Sequence, residues 1–349
     1  MRLSVLDQST VVSGRSPDTS IRESLDLAQH CEALGYHRYW VAEHHNSASQ
    51  AGTAPEILIA AIAATTHRIR VGSAGVMLPH YAALKVAEQF RVLEAIAPGR
   101  IDLGLGRAPG SDGRTAHALN PNAASAADLF PAQVRDLLDW LAGRKLAEGH
   151  PFRDVIAQPS GPGVPEAWIL GSSDYGGQVA AYFGLPFCFA HFITDGRGAA
   201  EAIGLYREQF RPSEWLREPY AAVCVWALTG ETQQDAERLF TSRAAWRLGR
   251  DRGVYEALPT PEEIATRRFS AAEEGQMERM RQTALYGTPR HLAARLTALA
   301  DDLGVAEIAV LTTVADSQAR RDSYTLLARE FGLRPAGIGR VDDMPRAAE

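Results

Sequence analysis

Arg2-Leu-Ser-Val-Leu-Asp7, then Ser20-Ile-Arg-Glu23 leading into Leu25, Ala28, Cys31 and Leu34, then Gly35 and Tyr39-Trp-Val-Ala-Glu43, is the stretch on which the fold turns. A short apolar run reads as a strand. The Ser-x-x-Glu pattern is that of a capping box, and the apolar residues after it recur at helical spacing. Gly35 ends the helix because glycine accepts the left-handed conformation of a C-terminal cap. Tyr39–Glu43 is then a second strand. Strand, helix and strand in about 40 residues make a βαβ unit, and such units imply parallel pairing.

The same alternation runs outward along the chain. Thr53-Ala-Pro-Glu56 repeats the capping pattern with Pro55 in the first turn, where its missing N–H costs nothing. Ile69–Leu78 reads as strand three, Val86, Phe90 and Leu93 line the next helix up to Pro98-Gly99, and Ile101–Leu105 is strand four. Asp128–Leu141 has helical periodicity, and 143–165 is an excursion rich in glycine and proline. Strands five to seven fall at Ala167–Leu170, Pro186–Ala190 and Tyr220–Leu228. Helices follow strand five through Val179 to Phe183 and strand six to Phe210. Thr288-Pro289 opens a helix with Leu292, Leu296, Leu299 and Leu303 inward, Glu307–Leu311 is strand eight, and a last helix covers Ser317–Glu330. Eight strands with returning helices predict an α/β protein, a (β/α)8 TIM barrel. Two segments exceed a plain return, Ala108–Ala127 after strand four and Thr229–Tyr286 after strand seven. Both follow carboxyl ends of strands, where barrel active sites are built. Residues 1–334 are expected to form one domain and 335–349 a loose tail.

Composition narrows the classes. Of 349 residues, 46% are hydrophobic and 22% charged, which suits a globular chain with a large core. Lys plus Arg number 36 against 42 for Asp plus Glu, net −6, so neither nucleic acid nor an anionic membrane is an expected partner. No apolar run reaches membrane-spanning length and the N-terminus lacks a secretion signal, so a cytoplasmic location is expected. Cys31, Cys188 and Cys224 lie far apart, each within an apolar element, and read as core.

Four places carry possible chemistry. Trp40-Val-Ala-Glu-His-His45 ends strand two with three ionisable groups. Neighbouring strand residues point to opposite faces, and no HxH or HExxH accompanies the pair, so no metal is expected. The histidines are then either structural or a catalytic imidazole at the barrel mouth. Gly104-Leu-Gly-Arg-Ala-Pro-Gly110 imitates a dinucleotide fingerprint. It sits in the fourth βα unit, is interrupted by Pro109 and opens no clear helix, so the Rossmann reading fails. Arg107 in that loop suits a phosphate or a surface ion pair. Gly171-Ser-Ser173 precedes a helix and could offer N–H groups to an anion, or simply cap it. Small residues at Ser73-Ala-Gly75 within strand three mark either the approach of a flat ligand or tight packing.

Ala42-Glu-His-His45, Gly72-Ser-Ala-Gly75 with Met77-Leu-Pro79, Gly99-Arg-Ile-Asp-Leu-Gly-Leu-Gly-Arg107 and Gly171-Ser-Ser173, in this order and spacing, resemble the bacterial luciferase-like flavin monooxygenases. The resemblance runs from Leu3 to about Phe331. It implies FMN bound at the carboxyl ends of the strands, with reduced FMN and O2 oxygenating a small organic substrate through a flavin C4a-hydroperoxide. It implies His44 as the catalytic histidine with His45 beside it, Arg107 on the FMN phosphate, and Gly171, Ser172 and Ser173 in the phosphate turn. Ser73, Ala74 and Gly75 fall at the flavin-supporting segment, with a non-proline cis peptide at Ala74-Gly75. A homodimer is implied, as is a separate NAD(P)H-dependent flavin reductase, since no nucleotide motif appears. Gly106 stands where luciferases carry a reactive cysteine and Gly110 where they carry an aromatic residue, so light emission is not implied. Two other readings share the barrel: a deazaflavin-dependent dehydrogenase and a flavin-binding protein without catalysis.

Overall fold

The computed structural model describes residues 1–335, so the expected tail, Pro335 apart, lies outside the described residues. Its strands are β1 (Arg2–Asp7), β2 (Arg38–Val41), β3 (Arg70–Met77), β4 (Ile101–Gly106), β5 (Glu166–Gly171), β6 (Phe187–Phe189), β7 (Ala221–Thr229), β8 (Leu285–Gly287) and β9 (Glu307–Leu311). The first half carries helices α1 (Pro17–Leu34), α2 (Pro55–Thr65), α3 (Ala83–Ile96), α4 (Gly113–Leu119), α5 (Ala123–Asp128) and α6 (Phe130–Leu141). The second half carries α7 (Asp174–Phe183), α8 (His191–Thr194), α9 (Ala199–Gln209), α10 (Gln233–Arg250), α11 (Pro261–Thr266), α12 (Ala271–Thr283), α13 (Pro289–Leu303) and α14 (Ser317–Glu330).

All pairings between strands are parallel. β1 to β6 follow one another, β1 also pairs with β9, β9 with β7, and β7 with β6, which closes a ring of eight strands. This is the expected (β/α)8 barrel. The eighth barrel strand is β9; β8, which was not legible in the sequence, is three residues long and among the described residues pairs only with the outer end of β7, Ala227 to Thr229.

Two apolar layers hold the ring. One lies between barrel and helices and includes Val5, Val71, Leu103, Ile169, Val223 and Leu296. The other fills the interior and the underside of the α10–α12 insertion, and includes Leu6, Trp40, Trp168, Cys224 and Phe240. Strands covered on both sides read as near-continuous apolar runs, and β4 and β7 are buried at every residue.

Two readings need correction. Helix α1 starts at Pro17, a turn before the expected box. Ser20 Oγ donates to the Thr10 carbonyl at 2.8 Å and Glu23 pairs with Arg15, so neither caps. Pro17 supplies a helical φ at the first position and lets the helix begin early. At α2 the cap is Ala54, without a side-chain bond, and Glu56 accepts from Gln89 instead. The 108–127 insertion contains two short helices, α4 and α5, the first held by Asp112, which accepts from the N–H groups of Arg114 and Thr115. Gly35 does close α1, at φ 89°.

The amino-terminal end of the barrel is plugged by charge. Arg38, fully buried, meets Asp102 at 2.9 Å, Glu166 at 3.1 Å and Glu307 at 3.0 Å, and Arg70 also pairs with Asp102 and Glu166. Trp40 Nε1 donates to Asp102 at 2.9 Å, while Ser4 and Tyr220 donate to Glu307 at 2.6 and 2.7 Å. Among the described residues no helix is long and apolar enough to cross a membrane.

Candidate functional site

The carboxyl ends of the strands enclose a cavity of about 250 Å³. Its wall takes Leu6 from β1, Trp40 from β2, Ala74, Gly75 and Met77 from β3, and Leu170 from β5. Cys188 and Cys224 contribute from β6 and β7. A larger open groove of about 800 Å³ crosses the α10–α12 insertion, and none of the expected site residues lines it. The barrel cavity is therefore the candidate site, because the expected residues other than Ser73 converge there.

His44 reaches this cavity from the loop after β2. Its backbone N–H is anchored on the Gly52 carbonyl at 2.8 Å, and its Nδ1 is buried without a hydrogen-bond partner among the described residues. Burial first, then the Arg250 guanidinium and His45, push its pKa down to about 4, against the opposing pull of Glu43. The imidazole is thus neutral near pH 7. His45 turns the other way. Its Nε2 lies 2.8 Å from Glu43 Oε1, which also accepts from the Tyr81 hydroxyl at 2.6 Å, while Glu43 Oε2 accepts the Met77 N–H at 3.0 Å. Glu43 thereby ties the loop bearing both histidines to the end of β3. The two imidazoles diverge, and no group of three or more His, Cys, Asp or Glu among the described residues could hold a metal.

The Ala74–Gly75 peptide is cis. A Cβ on Gly75 would lie 2.8 Å from the Gly104 carbonyl oxygen, so β3 and β4 approach here as only glycine permits. Ser73 does not line the cavity. Its hydroxyl donates to the Gly104 carbonyl at 2.9 Å and accepts the Gly104 N–H at 3.0 Å, a clamp across β3 and β4 beside their register shift. The expected flavin contact thus narrows to Ala74 and Gly75.

Arg107, Gly171, Ser172 and Ser173 meet at the cavity. The Arg107 guanidinium lies 3.9 Å over the Tyr175 ring and forms no ion pair or hydrogen bond among the described residues. Ser173 occupies the cap position of α7 without bonding its helix, and the Ser172 hydroxyl has no hydrogen bond among the described residues. Asp174 Oδ1 accepts the Tyr175 N–H at 2.9 Å. A cation, two hydroxyls and a helix N-terminus make a cradle for a phosphate.

Several lining residues were not found in the sequence. Arg250 comes from the last turn of α10, and Phe192 and Ile193 from α8. Arg247 holds α10 to α8 by donating to the Phe192 carbonyl at 3.3 Å, and pairs with Asp195 and Asp251. Helical periodicity could have marked α10 as amphipathic but not which turn meets the barrel. The buried thiols of Cys188 and Cys224 are held protonated, so they are walls rather than nucleophiles.

A profile of the luciferase-like monooxygenase family matches residues 1–307. The chain belongs to this family. The luciferase-like monooxygenase of Escherichia coli K12 is 40% identical over 93% of this chain and 95% of its own. The N-acetyl-S-alkylcysteine monooxygenase of Bacillus subtilis 168 is 32% identical over 94% and 97%. The crystal structure of apo-MsnO8 superposes with a TM-score of 0.86, at 35% identity, over 96% of this chain and 99% of that one. Membership makes the protein a flavin-dependent oxidoreductase, as the resemblance implied.

Proposed function

We propose that the protein is an FMN-dependent monooxygenase that uses reduced FMN and O2 to oxygenate a small organic molecule in the barrel cavity. The observation that carries this reading is the unpaired Arg107 beside the free hydroxyls of Ser172 and Ser173, in the same cavity as the cis segment Ala74–Gly75 and His44. The residues fit the group. Arg107, Ser172, Ser173 and the first turn of α7 would hold the single phosphate, and the apolar wall with Ala74 and Gly75 would take the flavin ring.

Reduced FMN, when bound, supplies the electrons that activate O2 for insertion of one oxygen atom. The chain supplies the surroundings. His44, neutral and unpaired at Nδ1, can accept or return one proton at that atom. Apolar walls and the α10–α12 insertion, clamped to α8 by Arg247, exclude water from the reacting centre. Met77 and Glu43 fix the loop that carries the imidazole. Reduced FMN is delivered by a separate NAD(P)H-dependent reductase, and the working unit is a homodimer.

Competition titration of FMN, FAD and the deazaflavin, oxidised and reduced, tests the reading. Reduced FMN is expected to bind tightest, because one phosphate has one cradle. Equal or tighter binding of FAD or the deazaflavin overturns it.

A further inference from the structure

Arg243 lies on α10 two turns before Arg250 and is only 7% exposed, yet its guanidinium has no hydrogen bond or ion pair among the described residues. It stacks 4.1 Å over the Trp226 ring. Trp226 is itself 4% exposed, and its Nε1 is buried without an acceptor. Both side chains line a partly open cavity of about 70 Å³ between β7, α8, α10 and α12, which Arg247 and Asp195 also line. Buried donors are costly to leave unmatched, and a buried cation more so. Here two donor groups border the same empty space.

The charges around Arg243 set the valence of what would satisfy it. Arg247 and Arg250 are the neighbouring cations, Asp195 and Asp251 the neighbouring anions, and these four cancel. Arg247 holds Asp195 at 3.3 Å and Asp251 at 2.9 Å, and among the described residues neither carboxylate pairs with Arg243. One positive charge remains. A planar guanidinium with a free fork matches a carboxylate through two parallel hydrogen bonds. A monoanion balances the site, whereas a phosphate dianion would leave excess negative charge beside Asp195.

The small cavity also borders the main one. Phe192 lines both, and Trp226 sits two residues beyond Cys224 on β7, hence on the same side of the strand. We propose that Arg243 and Trp226 form a carboxylate-binding pocket that anchors the acidic end of the substrate, whose apolar part passes Phe192 into the barrel cavity. The substrate class is therefore a chain-linked carboxylic acid, an assignment that rests on the proposed oxygenase reading.

The test uses the intact protein and needs no turnover. Thermal melting is followed against acetate, propionate, butyrate and hexanoate at constant ionic strength, with inorganic sulfate as the second anion, since a ligand of the folded state raises the melting temperature. Wild type is expected to be stabilised by acetate and to bind each added methylene about three- to fourfold more tightly. Arg243→Met should melt higher than wild type without ligand, and should bind the carboxylates about 10- to 150-fold more weakly. Arg243→Lys keeps the charge without the fork and should retain partial binding. FMN affinity should be equal in wild type and Arg243→Met. Flat affinity along the series, sulfate acting as well as hexanoate, or FMN and acetate lost together would each overturn the proposal. Wild type that binds the acids but no flavin would instead remove the oxygenase reading and leave the carboxylate pocket.

Discussion

The two ends of this barrel treat charge in opposite ways. At the amino-terminal end Arg38 and Arg70 face Asp102, Glu166 and Glu307, and the acids draw further hydrogen bonds from Ser4, Trp40 and Tyr220. At the carboxyl end Arg107, Arg243 and Arg250 have no acidic partner within bonding distance among the described residues, and His44 Nδ1 and Trp226 Nε1 have no hydrogen-bond partner among them. A charge network matched within the protein, apart from the buried Arg38 Nη2, sets structure. Polar groups left unmatched at the mouth of a cavity are matched by something that comes and goes. The contrast separates residues whose loss should cost the fold from residues whose loss should cost only binding or rate.

Arg38→Met tests the closed end. Removing one member of a buried pair costs about 3–5 kcal/mol because the other charge stays buried. Three carboxylates converge on Arg38, so the loss should lie at or above that range, a large share of a typical total stability. Urea unfolding is expected to show it; a variant as stable as wild type would mean that water already reaches the network. At the open end the expectation reverses. His44→Ala should fold and bind FMN normally but lower single-turnover oxygenation about 10²- to 10⁴-fold. Unchanged oxygenation would place His44 among the structural residues.

Arg107→Ala is a smaller change at the same end. A charged hydrogen bond contributes roughly 1.5–3 kcal/mol, so FMN binding should weaken about 10- to 150-fold. Riboflavin, lacking the phosphate, should bind almost as before. Both dissociation constants, taken at one ionic strength, distinguish a phosphate ligand from a residue that shapes the loop: equal losses for the two flavins would indicate the latter.

The ring was legible because strands buried on both sides announce themselves as apolar runs, and α14 lies at Ser317–Glu330 as its periodicity indicates; the buried charges of the closed end carried no such signal. Helix starts were less legible, since Pro17 and Pro55 begin helices without the side-chain caps that pattern reading seeks. Loop-borne site residues such as His44 and Arg107 stood out through their motifs. Ser73 was misplaced because the β3–β4 register shifts between Ser73 and Val76, which breaks the alternation of faces on which strand reading depends. Arg243 and Arg250 were invisible for another reason. They sit in a long charged helix, and only the packing of α10 over the barrel singles out these two cations.

The last expected effect concerns the proton on His44. Its pKa of about 4 in the folded protein lies below the ordinary histidine value near 6.5. As pH falls through this interval the unfolded chain takes up the proton first, so stability is lost between about pH 6.5 and 4, and below about pH 4 both states carry the proton. His37, also pushed down to about 4 by burial, acts in the same direction, so the informative quantity is the difference between wild type and His44→Asn. That difference should appear only within the interval. Arg250 is one cause of the depression, after burial, and Glu43 opposes it. Arg250→Met should therefore raise the His44 pKa part of the way toward 6.5, read by NMR titration of its ring protons, and narrow the window accordingly. Burial, the larger cause, remains in that variant, so a full return to 6.5 is not expected. If His44 titrated near 6.5 in both proteins, its imidazole would be as well hydrated as a surface residue. The open end of the barrel would then differ from the closed end in packing alone, and the argument that its unmatched groups await a ligand would lose its electrostatic half.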